Sequence, residues 1–301
     1  MLREIMEVMD LLDDARVDGQ RVKDWLLKAG CQEVQVTRVE GAKGATDFVK
    51  VWIRSPQKTG PTLGIVGRLG GIGARPEALG LVSDADGCII ALASAARLAR
   101  MAGRGDVLPG DVIVATHVCP NAPTVPHQPT RFMGTPVEMA VMNRYEVDPG
   151  MEAILSVDTT KGNWVLNRRG FAITPTVKEG YILRVSDKLL EIMKYVTGDL
   201  PVVLAITTQD ITPYENGFYH LNSIMQPAVA TSAPVVGVAT TSAVPVPGCA
   251  TGVNQVVDME AAGRFCVEVA KAFTANACPF YDQDEYGRIL SRYGSLRHLQ
   301  T

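Results

Sequence analysis

Four short runs of almost unbroken apolar residues constrain this chain more than any other feature: Leu63–Val66, Asp111–Thr116, Ala153–Val157 and Val202–Ile206. A strand that faces water on one side alternates apolar and polar residues. A strand apolar throughout has both faces covered, as in a parallel sheet layered between helices. Helical periodicity fills the gaps between the runs, over Cys88–Met101, Val137–Arg144, Asp187–Val196 and Met259–Ala275, the last capped by Asp258. Alternating buried strands and amphipathic helices predict an α/β fold, a three-layer sandwich around a mostly parallel central sheet. Ala233–Val238 reads as one more strand of that sheet, and Leu221–Ala230 as a helix.

The flanks read differently. Leu2, Ile5, Met6, Met9 and Leu12 repeat at helical spacing, as do Val22, Trp25, Leu26 and Ala29, with Asp18-Gly19 breaking the run and Gly30 ending it. Val34–Val39 and Phe48–Ile53 alternate as half-exposed strands. The segment from Cys278 is polar and charged. No repeat or linker interrupts the 301 residues. The expectation is one domain over 1–301, with two helices in 1–30 and a loosely packed tail over 278–301.

Composition removes several function classes. A net charge of −3 without a lysine or arginine run argues against nucleic acid as a partner. No apolar stretch reaches the ~20 residues of a membrane span, and acids follow the first methionine without a signal-like apolar stretch. A cytoplasmic protein without membrane contact is expected. The six cysteines form no Cys-x-x-Cys pair, which argues against a zinc ribbon.

The ends of the four runs carry the polar chemistry. They are Arg68 with Gly70 and Gly71, His117 with Cys119 and Asn121, Asp158 with Thr159 and Lys161, and Gln209 with Asp210. In parallel sheets, ligands bind outside the carboxyl ends of the strands, so these clusters are expected to share one site. Asp84 and Asp86 open a helix, as caps that suit its dipole or as acid/base groups. His117 is a base, a ligand or a strand-end hydrogen-bonding group. His220, in Tyr219-His220-Leu221-Asn222, is catalytic or meets a neighbouring subunit.

The order of elements resembles the dinuclear-zinc aminopeptidase superfamily, in particular its tetrahedral and glutamyl branch. That branch has a strand ending in G-H-x-D-E-I-G, where this chain reads Gly67-Arg68-Leu69-Gly70-Gly71-Ile72-Gly73. The resemblance maps the bridging metal aspartate onto Asp84 and a later metal aspartate onto Asp158. It places Arg68 where the first metal histidine stands, and His117-Val118-Cys119-Pro120 where a Glu-Glu pair stands. The last metal histidine falls near Cys249–Gly252, and no lid domain is inserted. Two like charges ~4 Å apart repel by about 4 kcal/mol at an effective dielectric of ~20, so Arg68 argues against the usual zinc pair. The phrases Thr208–Tyr214 and Phe218–Ser223 are similar to the family catalogued as domain of unknown function 1177.

Together these readings predict a hydrolase-like enzyme acting on a small amide, peptide or carboxylate-bearing metabolite. His117 would be the general base, oriented by Asp158 or Asp84. Arg68 would grip a substrate carboxylate. Gly70 and Gly71 would free backbone donors, with Asn121, Gln209 and His220 completing the substrate site. One divalent metal, zinc, held by Asp84, Asp158 and His117, is the cofactor variant of this reading. A homo-oligomer is expected. The rival is a non-catalytic homo-oligomeric binding protein. A thiol role for Cys119 or Cys249 is a third option.

Overall fold

The computed structural model describes residues 1–300. In chain order, helices α1 (Leu2–Leu12) and α2 (Gly19–Ala29) precede the antiparallel hairpin β1 (Glu33–Gly41) and β2 (Gly44–Ile53). Then come β3 (Leu63–Gly67), α3 (Ala85–Ala102) and β4 (Val112–Val118). A small hairpin, β5 (Thr124–Val125) and β6 (Phe132–Met133), leads to α4 (Met139–Glu146) and β7 (Ala153–Thr159). Three short strands follow, β8 (Gly170–Ile173), β9 (Val177–Lys178) and β10 (Tyr181–Ile182). The chain continues with α5 (Asp187–Thr197), β11 (Val235–Thr241), α6 (Val256–Thr274) and α7 (Gln283–Tyr293).

The main sheet runs β1-β2-β4-β3-β7-β11-β9-β10, with β8 also paired to β11. Its centre, β4-β3-β7-β11, is parallel, in the register Leu63↔Val112, Leu63↔Ala153 and Ala239↔Asp158. Three of these strands are apolar runs and β11 is the strand expected over Ala233–Val238; every residue of β3, β4 and β11 is buried, as strands covered on both faces should be. One face is covered by α1, α3, α5 and α6 around Ile65, Val114, Leu155 and Val236. The other carries α4, the segment 202–211 and a 3₁₀ helix, Ser223–Val229, over Val66, Ile113, Ile154 and Ala239. The result is the three-layer α/β sandwich.

Capping follows the sequence at two helices. Asp18 accepts from Arg21 N and Ser186 from Leu189 N, while Gly30 and Gly198 end α2 and α5 at φ 106° and 72°. Left-handed backbone of this kind favours glycine.

Four expectations need correction. Val202–Ile206 is extended but makes only one bridge, Val203 to Ile173. Val203 is 44% exposed, so the run lies over the sheet rather than within it. The Leu221–Ala230 helix is shorter and 3₁₀, and it contains Pro227, which cannot donate to an α-helical ladder. Asp258 lies in the first turn of α6 rather than capping it, because the helix starts at Val256. The tail is not loose. Cys278, Phe280 and Tyr286 are buried, Tyr286 donates to Glu179 (2.8 Å), and Gln300 Nε2 donates to Ala228 O (2.6 Å) and Thr231 O (2.8 Å). No helix among the described residues is long and apolar enough to cross a membrane.

Candidate functional site

The parallel strands β3, β7 and β11 bring their carboxyl ends to one edge of the sheet, where a cleft of about 420 Å³ opens. Leu69 lies just beyond β3, Asp158 and Thr159 end β7, and Ala239 comes from β11. Asp84 precedes α3 and Cys249 follows β11. The hairpin residues Val125, Phe132 and Met133 form one wall, and Leu204 with Leu221–Ile224 forms the other.

Asp84 occupies the cap position of α3 yet makes no side-chain capping bond, and its carboxyl lines the cleft beside the Cys249 thiol. It is 5% exposed and Asp158 is 2% exposed. Burial, then the charges of Asp158 and Asp86, push Asp84 well above the ordinary carboxylate range. Burial also pushes Asp158 up to about 6, against the hydrogen bond from Thr159 N (2.7 Å) and the field of Arg68. Ser223 Oγ donates to the other Asp158 oxygen at 3.2 Å. Asp86, two residues on, is fully buried and already partnered. It pairs with Lys161 and accepts from Thr240 Oγ1 (2.7 Å) and Asn254 Nδ2 (2.6 Å).

Arg68 and His117 lie elsewhere. Arg68 is 0% exposed and ion-paired to Glu146 at the end of α4. His117 Nδ1 lies 2.5 Å from the second oxygen of the same carboxylate, and its ring packs on Phe48. Burial opposes the charge on Glu146, but Arg68 and His117 hold its carboxyl below the ordinary value. This is a closed network behind the cleft. The expected roles of Arg68 as a substrate clamp and His117 as the base are therefore revised: neither side chain lines the cleft, and Glu146, not an aspartate, orients His117.

The glycines serve packing. A Cβ on Gly70 would lie 1.7 Å from His117 O, because Gly70 O accepts from Cys119 N and the chains beyond β3 and β4 run in contact. Gly71 bridges to Cys119 and faces Met133. Gly70→Ala is expected to cost about 2 kcal/mol or more; an unchanged midpoint in denaturant unfolding would contradict this contact. Asn121 and Gln209 are exposed and off the cleft. His220 braces the cleft wall from behind, with Nε2 3.1 Å from Thr212 O and its ring stacked on Tyr214. Cys249 accepts from Met133 N (2.9 Å), and burial pushes its thiol up to about 12 and that of Cys119 up to about 11. Burial thus disfavours the thiolate that a thiol role would use at either position.

Glu146 and Phe132 carry no signal in the sequence, whereas Ser223 closes the phrase Phe218–Ser223 and Leu204 lies within the apolar run Val202–Ile206.

A family model described as "Protein of unknown function (DUF1177)" matches residues 37–301. The chain belongs to the DUF1177 family. No curated protein matches this DUF1177 chain. Among solved structures, its fold is similar to the LapA aminopeptidase of Legionella pneumophila, at 10% identity and a TM-score of 0.52, over 91% of this chain and 71% of that one. It is also similar to a leucine aminopeptidase of Caenorhabditis elegans, at 12% identity and a TM-score of 0.54, over 90% and 65% of the two chains. At this identity the likeness establishes an aminopeptidase-like fold.

The residues present do not fit a two-zinc centre. Among the described residues no three His, Cys, Asp or Glu side chains gather to hold a metal ion. The expected Asp84–Asp158–His117 set fails because His117 is tied to Glu146 away from the cleft. Arg68, which the resemblance sets against the first metal histidine, instead lends positive charge to the surroundings of Asp158.

Proposed function

We propose that this DUF1177 protein is a hydrolase of small amides or peptides, working from the cleft with Asp158 as general base and Asp84 as a neutral acid. The reading is carried by one observation: two carboxyl groups, each more than nine-tenths buried, line the same cleft as a serine hydroxyl. Neighbouring carboxyls in a dry site do not ionise together, which sets one as base and the other as acid. The described lining includes no lysine, arginine or histidine, so a neutral or amine-bearing amide suits it better than a carboxylate-bearing metabolite. The apolar walls from Phe132, Leu204 and Leu221 suit an uncharged side chain.

Turnover of a panel of fluorogenic amino-acyl amides tests this. In such a panel kcat/KM is expected to rise through about pH 6 as Asp158 loses its proton, then to fall once Asp84 ionises. Dialysis against a chelator leaves the rate unchanged under this reading. Saturable binding without turnover, or activity lost to the chelator and restored by zinc, would overturn it.

The same reading keeps the protein in the cytoplasm and as a homo-oligomer. All six cysteines are unpaired, which suits a reducing compartment. Trp164 is fully exposed and Val244 is 66% exposed, on neighbouring loops, offering apolar surface for self-association. Sedimentation at the monomer mass would contradict the oligomer.

A further inference from the structure

We propose that Ser223 is the nucleophile of this cleft, deprotonated by Asp158 as it attacks the substrate carbonyl. The proposal rests on the hydrolase reading above and adds a covalent intermediate to it. A serine at the start of a helix ordinarily turns its hydroxyl back to its own backbone, as Ser186 does toward Leu189. Ser223 does not. Its Oγ reaches across the cleft to Asp158 Oδ2 at 3.2 Å, a residue 65 positions away. The other oxygen of that carboxylate is fixed by Thr159 N at 2.7 Å, so the acceptor faces the serine in one orientation. This is the arrangement of an activated nucleophile: hydroxyl, base, and groups that orient both.

The segment bearing Ser223 is held on both sides. Leu221 N and Asn222 N donate to Asp210 Oδ1 at 2.7 and 2.9 Å. Gln226 Nε2 donates to Thr212 O at 2.8 Å, and its own carbonyl accepts from Asn143 on α4. Asp210 and Gln226 are positioning residues by this geometry, and such support is what keeps a nucleophile in place.

The chemistry balances with water alone. Ser223 Oγ forms a bond to the carbonyl carbon while its proton passes to Asp158, and the carbonyl π pair moves onto oxygen. Collapse breaks the C–N bond, and the amine leaves with the proton of Asp84. Water then attacks the seryl ester and gives its proton to Asp84, and the acid is released as the proton held by Asp158 returns to Ser223.

A fluorophosphonate probe on the full-length protein tests this without knowledge of the natural substrate, because the serine oxygen displaces fluoride from phosphorus. Peptide mass analysis of the wild-type protein is expected to place one adduct on Ser223, a result independent of any variant's folding. Ser223→Ala should lose the adduct, Asp158→Asn should form it about a hundredfold more slowly, and Ser291→Ala on α7 should match wild type. No adduct, or an adduct elsewhere, overturns the proposal. Amide turnover lost in Asp158→Asn but kept in Ser223→Ala would also overturn it, leaving the hydrolase reading with water as nucleophile. Turnover kept in both would show that the hydrolysis does not take place at this cleft, and absence of turnover in the wild type would remove the hydrolase reading itself.

Discussion

Glu146→Ala should lower the stability of the chain by about 3–5 kcal/mol, the cost of leaving a buried charge without its partner. Glu146 is the ion-pair partner of Arg68, which is 0% exposed and already carries an Nε atom with no hydrogen-bond partner. The same carboxylate holds His117, so one truncation strips two side chains. It also frees the end of α4, whose Asn143 ties that helix to the wall carrying Ser223. Glu146→Gln, which keeps the shape, should cost less. Arg68→Met combined with Glu146→Leu should be milder than Glu146→Ala alone, because removing both charges leaves none unpaired. Denaturant unfolding of the variants measures this. A Glu146→Ala midpoint equal to wild type would mean that the network contributes nothing to folding.

Asp158→Asn should cut turnover sharply and raise stability together. Loss of the base is expected to cost about a hundredfold or more in turnover. The stability gain follows from linkage. The ordinary carboxyl value is 3.8, and burial in the folded chain raises Asp158 to about 6. Between those values the folded chain keeps a proton that the unfolded chain releases, so stability falls as pH rises. Above pH 6 the accumulated penalty is about 3 kcal/mol, at 1.36 kcal/mol for each pKa unit. Asparagine cannot ionise, and its oxygen still accepts from Thr159 N. The variant should therefore melt higher than wild type at pH 8, with the difference shrinking toward pH 4. A variant less stable than wild type at pH 8 would contradict the burial of an ionised Asp158.

Much of the fold was legible because its central strands are apolar on both faces. Leu63–Val66, Val112–Thr116 and Ala153–Val157 form adjacent parallel strands. Val202–Ile206 has the same composition and is not a sheet strand, since an apolar run also suits an extended segment lying over a sheet. The site was legible in part. Asp84 and Asp158 share the cleft, as their strand-end and helix-start positions imply. Arg68 and His117 belong behind it, because Glu146 lies 78 residues from Arg68 in a helix whose sequence gives no sign of facing the sheet. Ser223 was hidden for a similar reason. Its partner is distant in sequence, and serine before an apolar run ordinarily reads as a helix cap. Pairings across the fold, rather than residue types, separate the cleft from the network.

The account depends on Asp158 being a buried, working carboxyl. Carbon-13 NMR of the protein labelled at its aspartate carboxyls follows that group directly across pH. A resonance titrating near pH 6 that disappears in Asp158→Asn is the predicted result. If the resonance lost in that variant titrates instead at or below the ordinary value of 3.8, Asp158 is a solvated or ion-paired group and the cleft is not the site proposed.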